Sequence, residues 1–492
     1  MSRSLRGRKY PVLHVDSKCC THKNVVVAKA KNRSAAQTPS PTFKGDLLAR
    51  TYGIIGGIPV RATRMITNPS RIVFASTYPP VVCGIATYTA SLVRNMPSDR
   101  VTVVAFDPDK YGAPLVPEHV PEERTRVIYA LVRPTIDPCD LMEAVKSIGC
   151  NDLGRTVLWF QYTEGIWPRL ADLLKRMEDF PVYKAASLHS VHFQSPETQW
   201  GLRLSEYRTL QEILPRLDCA TVFTRGARKA VQRAFPQHAT RVMLLRHALE
   251  PGPTLPRDKT RRLLGGYLAQ VRAAVRPLGS AQALLDALAD PSCVFVGSFG
   301  FIQWDKGLQM AYMLRDALEE HLPTRRVVGL VMGSLRESHD RRNQDVLAQL
   351  EEAADGKDSF LVVMMPPDPV FRISFHAVDL NVFWPDSPTQ SGRLAHALGM
   401  GAVVLGRNIE GVGEDLREAG ASVCRDFDEL VGEAVRLLTD NTRVAAAKAR
   451  AQKYVTTYSW ANQGKRHLQL ADAVVEAGSR QPIGTPVGPC LN

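Results

Sequence analysis

From Arg71 onward, short apolar runs alternate with helical stretches, and this rhythm constrains the fold more than any other feature of the chain. Arg71-Ile-Val-Phe-Ala-Ser76 is apolar through its centre and ends in small residues, the pattern of a strand buried on both faces of a parallel sheet. Val101–Phe106, Thr125–Val132, Thr156–Gln161, Tyr183–Leu188 and Cys219–Thr224 repeat it. Helical segments such as Ile85–Asn95, Arg169–Met177 and Arg225–Phe235 lie between them. The alternation stops over 249–292, which opens Glu250-Pro-Gly-Pro-Thr-Leu-Pro256 and turns basic and helical with no evident strand. It restarts at Cys293–Gly297 and continues through Arg326–Met332, Phe360–Met365, Leu380–Trp384 and Ala402–Leu405. Alternating strands and helices imply an α/β chain with parallel sheets covered on both faces, here as two doubly wound, Rossmann-like domains. No short-period repeat is present, which excludes a solenoid.

The pattern sets the expected boundaries: 71–248 for the first domain, 249–292 for a helical linker or insert, and 293–457 for the second domain. A last helix over 458–478 and a flexible tail over 479–492 complete the chain. With 45% hydrophobic and 23% charged residues, the chain has ordinary globular composition. No run approaches the ~20 apolar residues of a membrane-spanning helix. Nine scattered Cys, with no C-x-x-C pair, argue against a disulfide framework or a zinc cluster and for a reducing compartment.

The net charge of +13 raises the question of nucleic acid, and its distribution answers it. Residues 1–70 hold 13 Lys and Arg against 2 Asp and Glu, whereas the remainder holds 49 against 47. The basic character belongs to an amino-terminal extension, expected to be disordered, and no nucleic-acid partner is expected for the folded body. No charged start is followed by an apolar core and a cleavage site, so a secretory signal is not expected. The expected compartment is the cytoplasm, with organelle targeting by the basic extension left open, and only weak peripheral membrane contact is allowed for.

In open parallel sheets, ligands bind beyond the carboxyl ends of strands. Five such loops carry chemistry. In Ser76-Thr-Tyr-Pro-Pro-Val-Val-Cys-Gly84, Gly84 opens a helix whose free amides attract an anion, unless the segment is only a Pro-directed turn. In Gln161-Tyr-Thr-Glu164-Gly165, Glu164 is placed to hydrogen-bond sugar hydroxyls or act as a base, or simply to match a helix dipole. Ser187-Leu-His189-Ser-Val-His192 has two His three apart without a third ligand, so a metal is not expected. A single ring, His189, directed into a cleft is the functional reading, and a satisfied, partly buried His is the competing one. Gly297-Ser-Phe-Gly300-Phe-Ile-Gln-Trp-Asp-Lys306-Gly307 sets a Lys before a helix, suited to a phosphate or else merely a surface Lys. Asp386-Ser-Pro-Thr-Gln390-Ser391-Gly392 reads as the N-cap and first turn of a second anion-binding helix. A diphosphate-linked ligand between the two halves suits this arrangement.

At these residues the sequence resembles the retaining glycosyltransferases of family 4, of GT-B architecture, over roughly 71–478. Ser76-Thr-Tyr-Pro-Pro followed by Cys83-Gly-Ile-Ala-Thr-Tyr-Thr resembles the family's amino-terminal motif. Gln161-Tyr-Thr-Glu-Gly-Ile, Ser187-Leu-His-Ser-Val and Phe299-Gly-Phe with Lys306-Gly resemble three further segments. Gln390-Ser-Gly-Arg-Leu-Ala-His-Ala-Leu-Gly resembles the donor helix, and Tyr458-Ser-Trp460 the start of a helix that crosses back to the first domain. The resemblance implies two domains facing across a cleft, the first on the acceptor side and the second holding a nucleotide-sugar donor. It implies transfer of a hexosyl group, with retention and without metal or other cofactor, to an acceptor such as a polysaccharide, lipid or small molecule. His189 and Glu164 become the catalytic candidates. Gly84, Lys306, Gly307, Ser391 and Gly392 become the donor-phosphate candidates, and Gln390 a contact to the donor sugar. Acceptor contacts are expected from 108–123 and 194–208. The chain departs from the family at Phe301, where an Arg is usual, at Ser387 and Ala395, where a pair of Glu is usual, and at Ala248 of His247-Ala248, where a Gly is usual. The alternative function is a catalytically degenerate binding or scaffold protein of the same fold.

Overall fold

The computed structural model describes residues 69–112, 126–132, 136–147, 152–252, 255–335 and 339–478. The expectations for the basic extension before Pro69, for residues 113–123 and for the tail after Gly478 lie outside them. Two seven-stranded sheets organise the described residues. The first contains β1 (Arg71–Ser76), β2 (Val101–Phe106), β3 (Arg126–Leu131), β4 (Thr156–Tyr162), β5 (Tyr183–Leu188), β6 (Cys219–Val222) and β7 (Val242–Leu244). Its spatial order is β3-β2-β1-β4-β5-β6-β7, parallel throughout. The second contains β8 (Val275–Arg276), β9 (Val294–Phe299), β10 (Val327–Gly333), β11 (Ser359–Val363), β12 (Leu380–Phe383), β13 (Val404–Arg407) and β14 (Ser422–Cys424). Its order is β14-β13-β12-β9-β10-β11-β8, with only β8 antiparallel.

Side chains alternate across each strand, so a strand buried on both faces must be apolar at every position. In the first sheet Val73, Ala75, Leu158 and Phe160 enter the core on one face, and Ile72, Phe74, Val157 and Trp159 the core on the other. Each such Val, Leu or Phe contributes roughly 1.5–3 kcal/mol on burial, which ties the apolar runs to the sheet centre. The segment 249–292 differs from its expectation of a strandless helical linker. Val275–Arg276 pairs antiparallel with β11, and Leu264, Leu268, Leu284 and Leu288 join the core of the second lobe. A two-residue edge strand carries too little pattern to be read in advance. β7 and β14, three residues each, were missed for the same reason.

The chain passes twice between the lobes, side by side. Leu249 N–H donates to Tyr458 O at 3.0 Å and Trp460 N–H to Leu249 O at 3.2 Å. The helix Trp460–Gly478 then packs on the first lobe. Its Asp472 accepts from Ser70 N at 2.9 Å and Ser70 Oγ at 2.7 Å, and pairs with Arg100 at 2.6 Å. No helix among the described residues is long and apolar enough to cross a membrane.

Candidate active site

Strand order reverses between β1 and β4 in the first lobe and between β9 and β12 in the second, and in a doubly wound sheet the crevice for a ligand forms there. The loops after those four strands carry Gly84, Glu164, Lys306 and Ser391, and His189 directly follows β5, which lies beside β4. Four of the candidate segments thus follow the strands at the two reversal points.

In the second lobe, the loop after β9 and the loop after β12 are tied together. Asp386 N–H donates to Asp305 O at 3.0 Å. Gly307 has φ +61°, and a Cβ there would stand 2.0 Å from the carbonyl oxygen of Trp384, so only glycine fits. Lys306 is half-buried, its Nζ 3.1 Å from Asp305 Oδ2. Ser391 caps the helix Gly392–Gly399, its Oγ accepting from Leu394 N–H at 3.3 Å. Among the described residues, the amides of Gly392 and Arg393 donate to no protein acceptor, which leaves the positive end of this helix available to an anion. The Oε1 of Gln390 is buried without a partner.

Arg393 was not singled out by the sequence reading. Its side chain runs back from the helix into the loop after β9 and donates to Phe299 O at 3.0 Å and Lys306 O at 3.3 Å. It fills the space beside Gly300, where a Cβ would stand 2.2 Å from Arg393 Cδ, and its guanidinium lies 5.5 Å from the Phe383 ring centre. Burial lowers its pKa to about 10, with Asp305 opposing. At neutral pH it stays charged, and it places a cation between the loop after β9 and the helix Gly392–Gly399 without a carboxylate bonded to it among the described residues.

In the first lobe, Gly84 is exposed and opens the helix Gly84–Arg94, whose N-cap Cys83 supplies no side-chain acceptor. Glu164 is exposed on the turn after β4. His189 differs from the reading that directs it into a cleft: it is 5% exposed, because Tyr88 and Phe223 pack their rings 5.0 Å and 4.9 Å from its own. Its Nε2–H donates to Gln161 Oε1 at 2.6 Å. Burial foremost, then the neighbouring His247 and His467, lowers its pKa to about 3, so it is a neutral ring at working pH. His247, pulled to about 4 by burial, lies beside the second lobe: a Cβ on Gly392 would stand 3.9 Å from its Nε2.

Several bonds join the lobes near these loops. Glu206 Oε1 accepts from His192 Nδ1–H at 2.6 Å, which fixes the tautomer and turns the Nε2 lone pair outward. That Nε2 is 3.3 Å from Ser387 Oγ, on the loop between Asp386 and the helix Gly392–Gly399. Arg203 donates to the same Ser387 oxygen. Glu206, His192 and Ser387 thus form a line of directed hydrogen bonds across the gap. Thr389 Oγ1–H donates to His189 O at 3.3 Å. Glu410 accepts from Phe193 N–H at 2.9 Å and Gln194 N–H at 2.8 Å, and donates its own N–H to Gln194 Oε1 at 3.1 Å. Glu410 holds φ +43°, a strained conformation for a residue with a side chain, stabilised by these bonds. Glu414 accepts from Arg225 N–H at 2.6 Å and Gly226 N–H at 2.9 Å, setting a carboxylate on the positive end of the helix Arg225–Ala234. The buried Arg246 reaches Glu414, Asp415 and Glu418.

The sequence reading weighed His192 only as a metal ligand and Ser387 only as a departure. Arg203 and Glu206 fall within 194–208, the segment expected to meet the acceptor. Nothing in the linear spacing announces that these four residues meet.

No protein-family model and no curated protein matches the chain. Solved structures do. The trehalose-phosphate synthase (UDP-forming) of Burkholderia xenovorans, in complex with glucose-6-phosphate, aligns with TM-score 0.58 at 13% identity over 82% of this chain and 99% of its own. The Anabaena protein HepE, in complex with UDP and glucose, aligns with TM-score 0.56 at 14% identity over 82% and 99%. An Escherichia coli trehalose-6-phosphate protein bound with UDP-2-fluoro glucose aligns with the same values. At such identities the likeness is one of fold, and it agrees with the sheet topology: the chain has the two-lobed GT-B architecture, each lobe doubly wound.

Proposed function

We propose that this chain is a glycosyltransferase, similar to those of family 4, that moves a hexosyl group from a nucleotide-diphosphate sugar to an acceptor hydroxyl with retention and without a metal. The observation that carries the reading is the pairing of the Gly392 helix amides with Lys306 and Arg393 at the reversal point of the second sheet. Such an arrangement stabilises the charge that develops on a departing diphosphate, because oriented amides and cations need no reorganisation as the bond breaks. The neighbours hold UDP or a UDP-sugar in two of the three cases, which makes UDP the first donor nucleotide to test.

In this reading Ser391 and Gln390 orient the donor, Gly84 offers a second helix end from the first lobe, and Glu164 meets the acceptor. His189, neutral and fixed by Gln161, serves as a rigid wall and hydrogen-bonding group, not as an acid. The acceptor's proton leaves through Ser387 to His192, whose charge Glu206 balances. The non-catalytic reading is favoured by Ser387 and Ala395 standing where the family carries Glu. Incubation with a panel of nucleotide-sugars, followed by assay of nucleotide release and mass analysis of products, separates the two. Release with a glycosylated product or free sugar supports transfer, whereas binding with neither supports the scaffold.

A further inference from the structure

A cavity of about 340 Å³ opens in the second lobe, away from the loops described above. Its walls include Leu380, the first residue of β12, and Ala402 and Val403, which precede β13. It therefore lies off the amino-terminal edge of the sheet, whereas Lys306 and Ser391 follow the carboxyl ends of β9 and β12. Arg257, Arg325, His376, Asp379, Asn441 and Lys448 supply its polar lining over an apolar floor that includes Val378 and Leu437.

The charges around this cavity do not balance. The single lining carboxylate, Asp379, already bonds Arg257, Arg261 at 2.7 Å and the amide of Phe295 at 2.8 Å. Among the described residues, the Arg325 side chain donates only to a carbonyl, Leu438 O, at 3.3 Å. The side chain of Lys448, an exposed residue, makes no hydrogen bond or ion pair among the described residues. His376 Nε2–H is spent on Leu255 O at 2.6 Å. The amino end of the helix Asn441–Thr457 is no source of free amides here, since Asp440 accepts from Thr442 N–H and Arg443 N–H. The surplus charge thus belongs to side chains. Their mutual repulsion agrees with it: burial and then Arg257 lower the Lys448 pKa, and burial, Lys448 and Arg257 all lower that of His376.

Arg325 is partly exposed and Lys448 exposed, and neither is bonded to a carboxylate among the described residues, so the concave surface they line offers two cations to an anion. The volume sits at the small end of ligand pockets and exceeds what one ion needs. The apolar floor suits a body attached to the anion. We propose that this cavity is a second ligand site, which takes a small phosphorylated metabolite of about pentose-phosphate size, its phosphate between Arg325 and Lys448. The site does not depend on the donor reading, because it uses the opposite edge of the sheet.

Isothermal titration of the whole chain with ribose 5-phosphate, and separately with inorganic phosphate, at matched ionic strength tests it. The expected result is saturable one-to-one binding of the ester, weakened at least about 10-fold by Lys448→Gln and by Arg325→Gln. Lys448→Arg is expected to keep binding, and Gly392→Val, at the other site, to leave it unchanged. Tighter binding of inorganic phosphate than of the ester would show an ion site only and overturn the metabolite. No saturable heat with either probe would overturn the proposal. So would binding that survives both Gln substitutions in folded protein, or that Gly392→Val abolishes.

Discussion

His192 Nε2 and Ser387 Oγ lie 3.3 Å apart although 195 residues separate them in sequence, and the contact spans the two lobes. The bond exists only because Glu206 holds the opposite ring nitrogen and leaves Nε2 as the acceptor. An activated hydroxyl, a base and an orienting carboxylate in one line is the arrangement that proton transfer requires. It is assembled from both lobes, Glu206 and His192 coming from the first and Ser387 from the second.

If the proton leaves by this route, Ser387→Ala lowers kcat by roughly 100-fold while the KM for the donor stays near the wild-type value. Ser387→Thr, which keeps the hydroxyl, recovers most of the rate. Steady-state kinetics with water as the acceptor, read as nucleotide release, checks this without knowledge of the natural acceptor. A rise in KM with kcat preserved would assign Ser387 to binding instead.

Arg393 binds two carbonyls that a Lys ammonium cannot reach in one geometry. Arg393→Lys is therefore expected to weaken nucleotide diphosphate binding about 10-fold or more, nearly as much as Arg393→Ala. Both variants lose about 2 kcal/mol of stability through the carbonyls left without a donor. Calorimetric titration and urea unfolding read the two effects separately.

Residue by residue, the parts of this site that the sequence revealed are the local ones. Arg71–Ser76 and Tyr183–Leu188 are legible as strands because burial on both faces demands an unbroken apolar run. Ser391-Gly392 is legible as a helix start because capping chemistry is local. Helix ends shift by a residue, as at Arg94, where the expected end was Asn95. Arg393 was hidden, since a long side chain on a first helical turn usually points to solvent, and only the bare Gly300 makes room for it. The meeting of Arg203, His192 and Ser387 was hidden too, because it depends on how two lobes dock. The burial of His189 follows from Tyr88 and Phe223, each distant in sequence.

Asp415 gives a pH dependence whose sign can be worked out. Burial raises its carboxyl from the ordinary 3.8 to about 7, against the opposing pull of Arg246 and a hydrogen bond from Tyr454. A folded state that binds an extra proton is favoured at low pH and loses the advantage as pH rises from about 4 to about 7. Asp415→Asn is expected to flatten that decline in the urea midpoint, and an unchanged slope would remove Asp415 as its source.

Glu414 sets its charge on the first amides of the helix Arg225–Ala234 in the opposite lobe. Glu414→Gln is expected to cost about 1 kcal/mol, an effect that shrinks in high salt. Small-angle scattering should register more open lobes in the variant, and a salt-independent loss would point to packing.

In the proposed function, the amide-rich end of the Gly392 helix holds a nucleotide diphosphate. Titration of UDP into wild-type protein and into Gly392→Val, with folding verified by circular dichroism, addresses it most directly. Saturable binding that weakens at least about 10-fold in folded Gly392→Val is the predicted result. Equal UDP affinity in the two proteins, or no binding of UDP to the wild type, would contradict it.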